Sequence, residues 1–328
     1  MPLDWGPFVD LVRRHQRFLL TTHIRPDGDA LGSMLAMAEI LRGQSKAVRT
    51  VIASNTAPRY RFLDPEGRVE HFEPPGDEWR SADCVLVLDT SAWGQLGAFG
   101  PFMRSLPVAK AVIDHHTTQE DLGAMRLVDT TAEATGRLVC EAADALGVAL
   151  SPNVAGALFV ALAMDTGWFR HSNTTAATLA LAARLAGAGA QPEVLYEKLF
   201  EQNSLPRLKL MGLVLDRLQT AYDGRVAYTE IRRGDYETTG ATPMDTEDLV
   251  NFPRSLTGVD VGLLFMEMPR GGIKVSFRSR EGVDVAVVAE SFGGGGHRQA
   301  SGAILSAPLD DARAQILEAV AVALPAAD

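Results

Sequence analysis

A chain of 328 residues, 46% hydrophobic and 22% charged, has the balance of a soluble globular protein with room for one large domain or two ordinary ones. Its net charge of −10 argues against long non-specific contact with a nucleic-acid backbone, which takes Lys and Arg to replace counterions, but leaves room for a short anion held at one basic site. The opening MPLDWGPFVDLVRR lacks the basic start and apolar core of a signal peptide, and no apolar run approaches the roughly 20 residues of a membrane helix, so a cytoplasmic protein without membrane contact is expected.

In chain order, residues 17–22 (RFLLTT) read as a strand and 30–43 (ALGSMLAMAEILRG) as a helix, with apolar residues recurring at three and four and Gly43 suited to its end. Strands follow at 48–54, at 82–90 (ADCVLVLDT) and at 108–116 (VAKAVIDHH). The last two are apolar nearly throughout, as strands buried on both faces are, and the helical patterns between them point to an α/β parallel sheet. From about 132 to 220 the pattern is helical: 133–147, 151–167, 175–189 and 205–222 each read as a helix. The stretch 189–223 reads as a partly helical linker out of a first domain, 1–188. After Asp223-Gly224 come strand-like 225–232, 259–268 and 272–280, a short helix at 283–293, the glycine-rich GGGGHRQASGAILS and a final helix from 309, making a smaller C-terminal α/β domain, 224–328. Cys84 and Cys140 sit in apolar settings and match no zinc spacing, which predicts two buried thiols.

In open α/β sheets ligands bind beyond the carboxyl ends of the strands, and the polar residues of this chain gather at such ends. His23, Asp27 and Asp29 follow the first strand within seven residues, Asp89 ends another, and Asp114-His115-His116 ends a third. Asp165 closes an apolar helix, where a carboxylate opposes the helix dipole unless a cation lies near. Each has a plainer reading: Asp29 or Ser33 as a helix cap, Asp89 as a cap or Asx-turn, the histidines as a chance pair on a loop, Asp165 as an ordinary polar end. Together they suggest two cations, one on His23, Asp27 and Asp89, the other on Asp29, Asp89, His115 and Asp165, with Asp89 bridging. Imidazole with carboxylates suits Mn²⁺ or Mg²⁺ better than a structural zinc site. Two adjacent histidines on an extended chain face different ways, so one is expected to bind metal and the other, oriented by Asp114, to face substrate. His171 reads as a loop residue. In 293–302 the glycines free the backbone to approach an anion, His297 and Arg298 add donors, and Arg278-Ser279 offers a second phosphate grip.

HIRPDGDALGS, VLDTS, VIDHH and MDTGWF resemble, in order, the motifs of the DHH phosphoesterase superfamily, and GGGGHRQASGA resembles the signature of its associated C-terminal domain. The resemblance spans about 15 to 322. The length is similar to that of the small two-domain members, the NrnA-type oligoribonucleases or nanoRNases that also act as phosphatases of pAp (3′-phosphoadenosine 5′-phosphate). RecJ-type exonucleases carry an extra region for which this chain has no room, and family II pyrophosphatases lack the glycine-rich signature. The resemblance implies metal ligands at His23, Asp27, Asp29, Asp89, His115 and Asp165, a substrate-side His116 with Asp114 behind it, and a terminal-nucleotide grip from Arg278, Ser279, Gly295, Gly296, His297 and Ser301. Ser301 departs mildly from relatives, which often have alanine there. It also implies two Mn²⁺ ions per chain, or Mg²⁺, an active site in the cleft between domains, and a homodimer. The expected activity is hydrolysis of oligonucleotides of about two to five nucleotides to nucleoside 5′-monophosphates, and of pAp to AMP. Alternatives that share every motif are a phosphodiesterase for cyclic dinucleotides or their linear products (c-di-AMP, pApA, pGpG) and a RecJ-like single-strand exonuclease. A nucleotide sensor without catalysis would carry a broken metal set, and this set is complete.

Overall fold

In a computed structural model that describes residues 3–268, 271–280 and 282–325, the chain forms two units, Met1–Gln202 and Asn203–Asp328. The first runs α1 (Gly6–Arg14), β1 (Arg17–Thr21), α2 (Gly28–Gly43), β2 (Ala47–Ile52), β3 (Val69–His71), β4 (Cys84–Leu88), α3 (Phe99–Ser105), β5 (Ala109–Asp114), β6 (Met125–Val128), α4 (Thr135–Ala145), α5 (Pro152–Asp165), α6 (Ala176–Gly187) and α7 (Pro192–Phe200). Its six strands are parallel in the order β3-β2-β1-β4-β5-β6. Alternation within β1 sends Phe18 and Leu20 into one core, shared with α1, α2, α4 and α5, and Leu19 into another, with Val85, Val87, Phe72 and Phe99. Both faces are covered, which is why the strands read as unbroken apolar runs. The chain reverses its direction of winding between β1 and β4, and that switch point opens a crevice at their carboxyl ends.

Close helix packing fixes what lines the crevice. A Cβ on Gly32 of α2 would lie 2.4 Å from the Ala157 carbonyl oxygen of α5, so only glycine lets these two helices approach so closely. Asp29, near the start of α2, and Asp165, the last residue of α5, are thereby held to one another's neighbourhood. Cys84 and Cys140 are free and buried, and burial pushes both thiols up to about 12.

The second unit runs α8 (Leu205–Asp216), β7 (Gln219–Ala221), β8 (Val226–Ile231), α9 (Arg233–Thr239), α10 (Asn251–Arg254), β9 (Val261–Glu267), β10 (Ile273–Ser279), α11 (Val285–Ser291), β11 (Gly295–His297), β12 (Ala300–Leu305) and α12 (Leu309–Ala323). Its mixed sheet has the order β11-β12-β10-β9-β8-β7, with only β8 and β9 parallel. Two apolar layers pack on it, one with α11 and α12, the other with α8 and the 249–250 segment.

Two boundaries differ from the sequence reading. The helix expected over 205–222 stops at Asp216, because Tyr222 and Asp223 (φ +53° and +54°) and Gly224 (φ +84°) make a tight left-handed turn that pairs β7 with β8. The stretch 189–223, read as a partly helical linker, holds α7 and α8 and is divided between the units: Leu195 and Leu199 of α7 are buried in the first unit's core, while Leu210 and Val214 of α8 are buried in the second's. Among the described residues no helix is long and apolar enough to cross a membrane.

Candidate metal centre and phosphate face

Beyond β1 the chain turns so that Asp27 caps α2, its Oδ1 accepting the Asp29 and Ala30 amides at 3.0 and 3.1 Å. Asp29 lies fully buried in the first turn, where Ser33 Oγ (2.9 Å), the Thr135 amide (2.7 Å) and the Gly136 amide (2.9 Å) all donate to it. The start of α4 is thus aimed at Asp29. Asp89, just past β4, has a left-handed backbone (φ +62°), an uncommon state for a non-glycine residue, and accepts from Thr135 Oγ1 at 2.8 Å. Asp165 ends α5, after which Gly167, Trp168 and Phe169 are all left-handed (φ +57° to +63°) and both aromatic rings pack on Phe159.

The two partly buried histidines are set alike. His23 Nδ1 lies 3.0 Å from the Ile24 carbonyl and His115 Nδ1 3.1 Å from the Ala132 carbonyl. A carbonyl oxygen only accepts, so Nδ1 carries a hydrogen in both rings and Nε2 is turned to the carboxylates. His23 Nε2 is 3.5 Å from Asp89 Oδ2. His115 Nε2 is 3.1 Å from Asp165 Oδ2, 3.5 Å from Asp89 Oδ1 and 3.6 Å from Asp29 Oδ2, yet it is buried and in hydrogen-bond geometry with none of them. Ligand atoms of His23, Asp27 and Asp89 lie within 4.8 Å of one another, as do those of Asp29, His115 and Asp165, and those of Asp89, His115 and His116. All six residues expected as ligands are therefore brought together, with Asp89 in contact with both histidines.

Crowded carboxylates dominate the electrostatics of these clusters. Burial, then the Asp89 charge, raises the Asp27 carboxyl above its ordinary range, and the same two causes raise Asp29 well above it. Burial alone would lower both histidines, but their carboxylate neighbours more than offset it, chiefly Asp89 for His23 and Asp165 with Asp89 for His115, and each rises to about 9. A buried Nε2 facing three carboxylates without a hydrogen bond is the geometry of a metal ligand, so the residues present fit divalent cations.

His116 differs from its neighbour. It is half exposed, and its Nδ1 donates to Asp114 Oδ1 at 2.8 Å. Asp114 is fully buried and also accepts from Ser91 Oγ. Burial works to raise this carboxyl, but His116 and Ser91 hold it below the ordinary carboxylate range, while Asp114 raises His116 against the opposing effect of burial. His171 lies in the loop after α5, exposed and outside these clusters. Thr135, the Gly136 amide and Ser91 escaped the sequence reading as site residues. The small-residue run before α4 (TTAEATG) and the serine after Asp89 were their only signals.

In the second unit the expected grip is divided between faces. Arg278 is half-buried, with Nη1 donating to the Phe277 carbonyl at 3.0 Å. Ser279 and Ser301 are buried instead, their hydroxyls donating to the Val283 and Val285 carbonyls at 2.8 and 2.7 Å. A direct phosphate contact from either hydroxyl would require it to leave its carbonyl, so both positions first serve to hold the strands to α11 and its approach. Gly296 (φ +145°) passes close over β12, where a Cβ would come within 2.6 Å of the Ala300 carbonyl oxygen. Gly295 stands in register with Gly302 on the edge strand. Arg298 is exposed, and the side chain of His297 lies outside the described residues.

A parallel sheet with carboxylates and histidines at its switch point, joined to a mixed-sheet unit, is the architecture of a phosphoesterase. The chain belongs to the DHH family: the DHH family N-terminal domain matches residues 17–162 and the DHHA1 domain residues 223–324. It is 33% identical to the bifunctional oligoribonuclease and PAP phosphatase NrnA of Thermus thermophilus, over 92% of this chain and 88% of that protein. It is 28% identical to the protein of the same name from Bacillus subtilis, over 90% of this chain and 91% of that one. Among solved structures, an exopolyphosphatase-related protein from Bacteroides fragilis shares the fold, with a TM-score of 0.90 and 24% identity over 96% of this chain and 95% of that one.

Proposed function

We propose that this protein is a metal-dependent phosphoesterase that hydrolyses very short oligonucleotides to nucleoside 5′-monophosphates and pAp to AMP, in the cytoplasm and with Mn²⁺ or Mg²⁺ as cofactor. The observation that carries the reading is the buried His115 Nε2, set among Asp29, Asp89 and Asp165 with no hydrogen bond. The names of its relatives from Thermus thermophilus and Bacillus subtilis support the substrate class.

His23, Asp27 and Asp89 would hold one cation, and Asp29, Asp89, His115 and Asp165 a second. Bound divalent cations would supply an acidified water and a clamp on phosphoryl oxygens. The protein's own groups do the rest. Thr135 and the amides of α4 hold Asp89 and Asp29 in place. His116, its Nδ1–H held by Asp114 and its imidazolium form favoured by that carboxylate, presents Nε2–H to the half-exposed side, where it can stabilise developing phosphoryl charge and give the Nε2 proton to the departing 3′ oxygen as the P–O bond breaks and water's oxygen takes its place. The net charge of −10 favours short substrates over a long strand, which needs an extended basic track.

The test is a product time course with Mn²⁺ on 5′-labelled RNAs of increasing length, from dinucleotides to a long single strand, with pAp in parallel. Loss of the short oligomers to mononucleotides while the long strand persists is expected. Equal rates on the long strand would make the protein a general exonuclease.

A further inference from the structure

One residue of the second unit is left over by this account. Arg278 on β10 stands opposite Gly262 on β9 and Ala300 on β12, and Ala300 stands opposite His297 on β11. Directly paired antiparallel residues share a face, so Arg278 projects on the face of Gly262, opposite to that of Phe277 and Ser279. A Cβ on Gly262 would fall 2.5 Å from the Arg254 amide nitrogen and 2.8 Å from Arg254 Cβ. The end of α10 therefore rests directly on Gly262, and Arg254 leaves it on the same face, beside Arg278.

The two guanidiniums feel each other. Burial chiefly, and then the Arg254 charge, lower Arg278 from its ordinary value, with Asp248 opposing. Several arginines of this unit are tied to carboxylates, as Arg217 is to Asp235, Arg225 to Asp260 and Arg313 to Glu230, while others, such as Arg280, donate to carbonyls. Arg254 is not so tied: its Nε is buried without a hydrogen bond, and among the described residues no carboxylate pairs with it. Two neighbouring, partly desolvated cations without a matching carboxylate pair are unfavourable until an anion joins them. A terminal phosphomonoester carries a charge of about −1.5 to −2 at neutral pH and accepts the paired bonds of guanidinium, whereas an internal phosphodiester carries a single charge.

We propose that Arg254 acts with Arg278 to grip the terminal phosphomonoester of the nucleotide substrate, and that Arg254 sets the preference for a phosphorylated end over a hydroxyl end. The inference rests on the function proposed above. It is tested with two dinucleotides that differ only in the 5′ phosphate, pApA and ApA. Their binding is measured by calorimetry in chelator, and their turnover with Mn²⁺, for the full chain and its R254Q and R254K variants.

Wild-type protein should bind pApA more tightly than ApA. R254Q should weaken pApA binding roughly tenfold or more, the scale of one charge-assisted hydrogen bond, with less than about a threefold change for ApA. The turnover loss should appear in KM rather than kcat. R254K, which keeps the charge without the fork, should fall between, and it carries the test alone if R254Q does not fold. Equal weakening of both ligands would show a packing role and overturn the proposal, as would unchanged pApA binding or a wild-type protein without preference. A protein that prefers pApA through Arg254 yet hydrolyses neither ligand would keep this inference and remove the hydrolase reading. Hydrolysis of both without an Arg254-dependent preference would do the reverse.

Discussion

Raising the pH should destabilise the protein without metal and strengthen its hold on metal, and the two effects should appear in the same set of melting curves. In chelator, His23 and His115 are raised from 6.5 to about 9 by the carboxylates around them. A group whose folded value lies above its unfolded one contributes stability that is complete below the unfolded value and is lost as the pH climbs to the folded one. The window is therefore pH 6.5 to 9. A rise of this size corresponds to on the order of 3 kcal/mol for each histidine, discounted where the two share carboxylates. The raised Asp27 and Asp29 carboxyls act in the same direction, since they too favour the protonated folded state. For a unit of about 200 residues this is a fall in Tm on the order of 10 °C across the window. Metal reverses the dependence, because each ion must displace those protons. At pH 7 a histidine that titrates near 9 costs an ion roughly 100-fold in apparent affinity, a penalty that shrinks about tenfold per pH unit. Thermal unfolding at pH 6.5, 7.5 and 8.5, in chelator and in excess Mn²⁺ or Mg²⁺, reads both. The stabilisation by metal should grow with pH while the Tm in chelator falls. A Tm in chelator that stays flat or rises would mean that the histidines do not carry protons in the metal-free protein, and the electrostatic account of the centre would fail.

Other substitutions probe the parts separately. D89N, which keeps the size of the residue and tolerates its left-handed backbone, should cut kcat on a phosphorylated dinucleotide by at least about 10³-fold, since even partners that only orient a metal ligand are worth 10–100-fold; more than a few per cent residual activity would count against the shared-ligand role. T135V removes the hydroxyl on Asp89 Oδ1 but keeps the amide on Asp29, so metal affinity measured by titration should weaken about 10–100-fold with a smaller effect on Tm. H116Q and D114N should lower kcat by similar factors, of about 10² to 10⁴, while leaving metal-induced stabilisation intact, because one residue acts through the other; a large loss of metal stabilisation in H116Q would make His116 a ligand instead. G32A should cost about 1–3 kcal/mol in denaturant unfolding, from the 2.4 Å approach to the Ala157 carbonyl oxygen, and should also weaken metal binding by moving α2 from α5.

The residues that meet at this site were legible because each lies at the end of an element that announces itself. A strand buried on both faces cannot end in Asp89 or in Asp114-His115-His116 without leaving polar groups at the sheet's edge, and the order in which the strands lie side by side turns those edges into one crevice. What the sequence hid was the support. Asp29 is held by two main-chain amides of α4 more than a hundred residues away, and a main-chain amide has no signature in a list of side chains. Short elements hid for a related reason: β3 and β7 have three residues each, too few for any periodicity, and β7 exists because the left-handed turn at 222–224 brings it to β8.

The glycine-rich segment and its neighbours show the limit of reading function from residue type. Its glycines suggest an anion nest, yet the close pass of Gly296 over β12 would demand glycine with or without a ligand. Ser279 and Ser301 look like phosphate donors in one dimension, but strand parity places them with Phe277 on the core side. The same parity places Arg278 opposite Gly262, and Gly262 is what admits Arg254. Alternation along a strand decides which polar residues can meet a ligand, and it sets Arg254, in a short helix with no motif of its own, beside the residue that the motif does name.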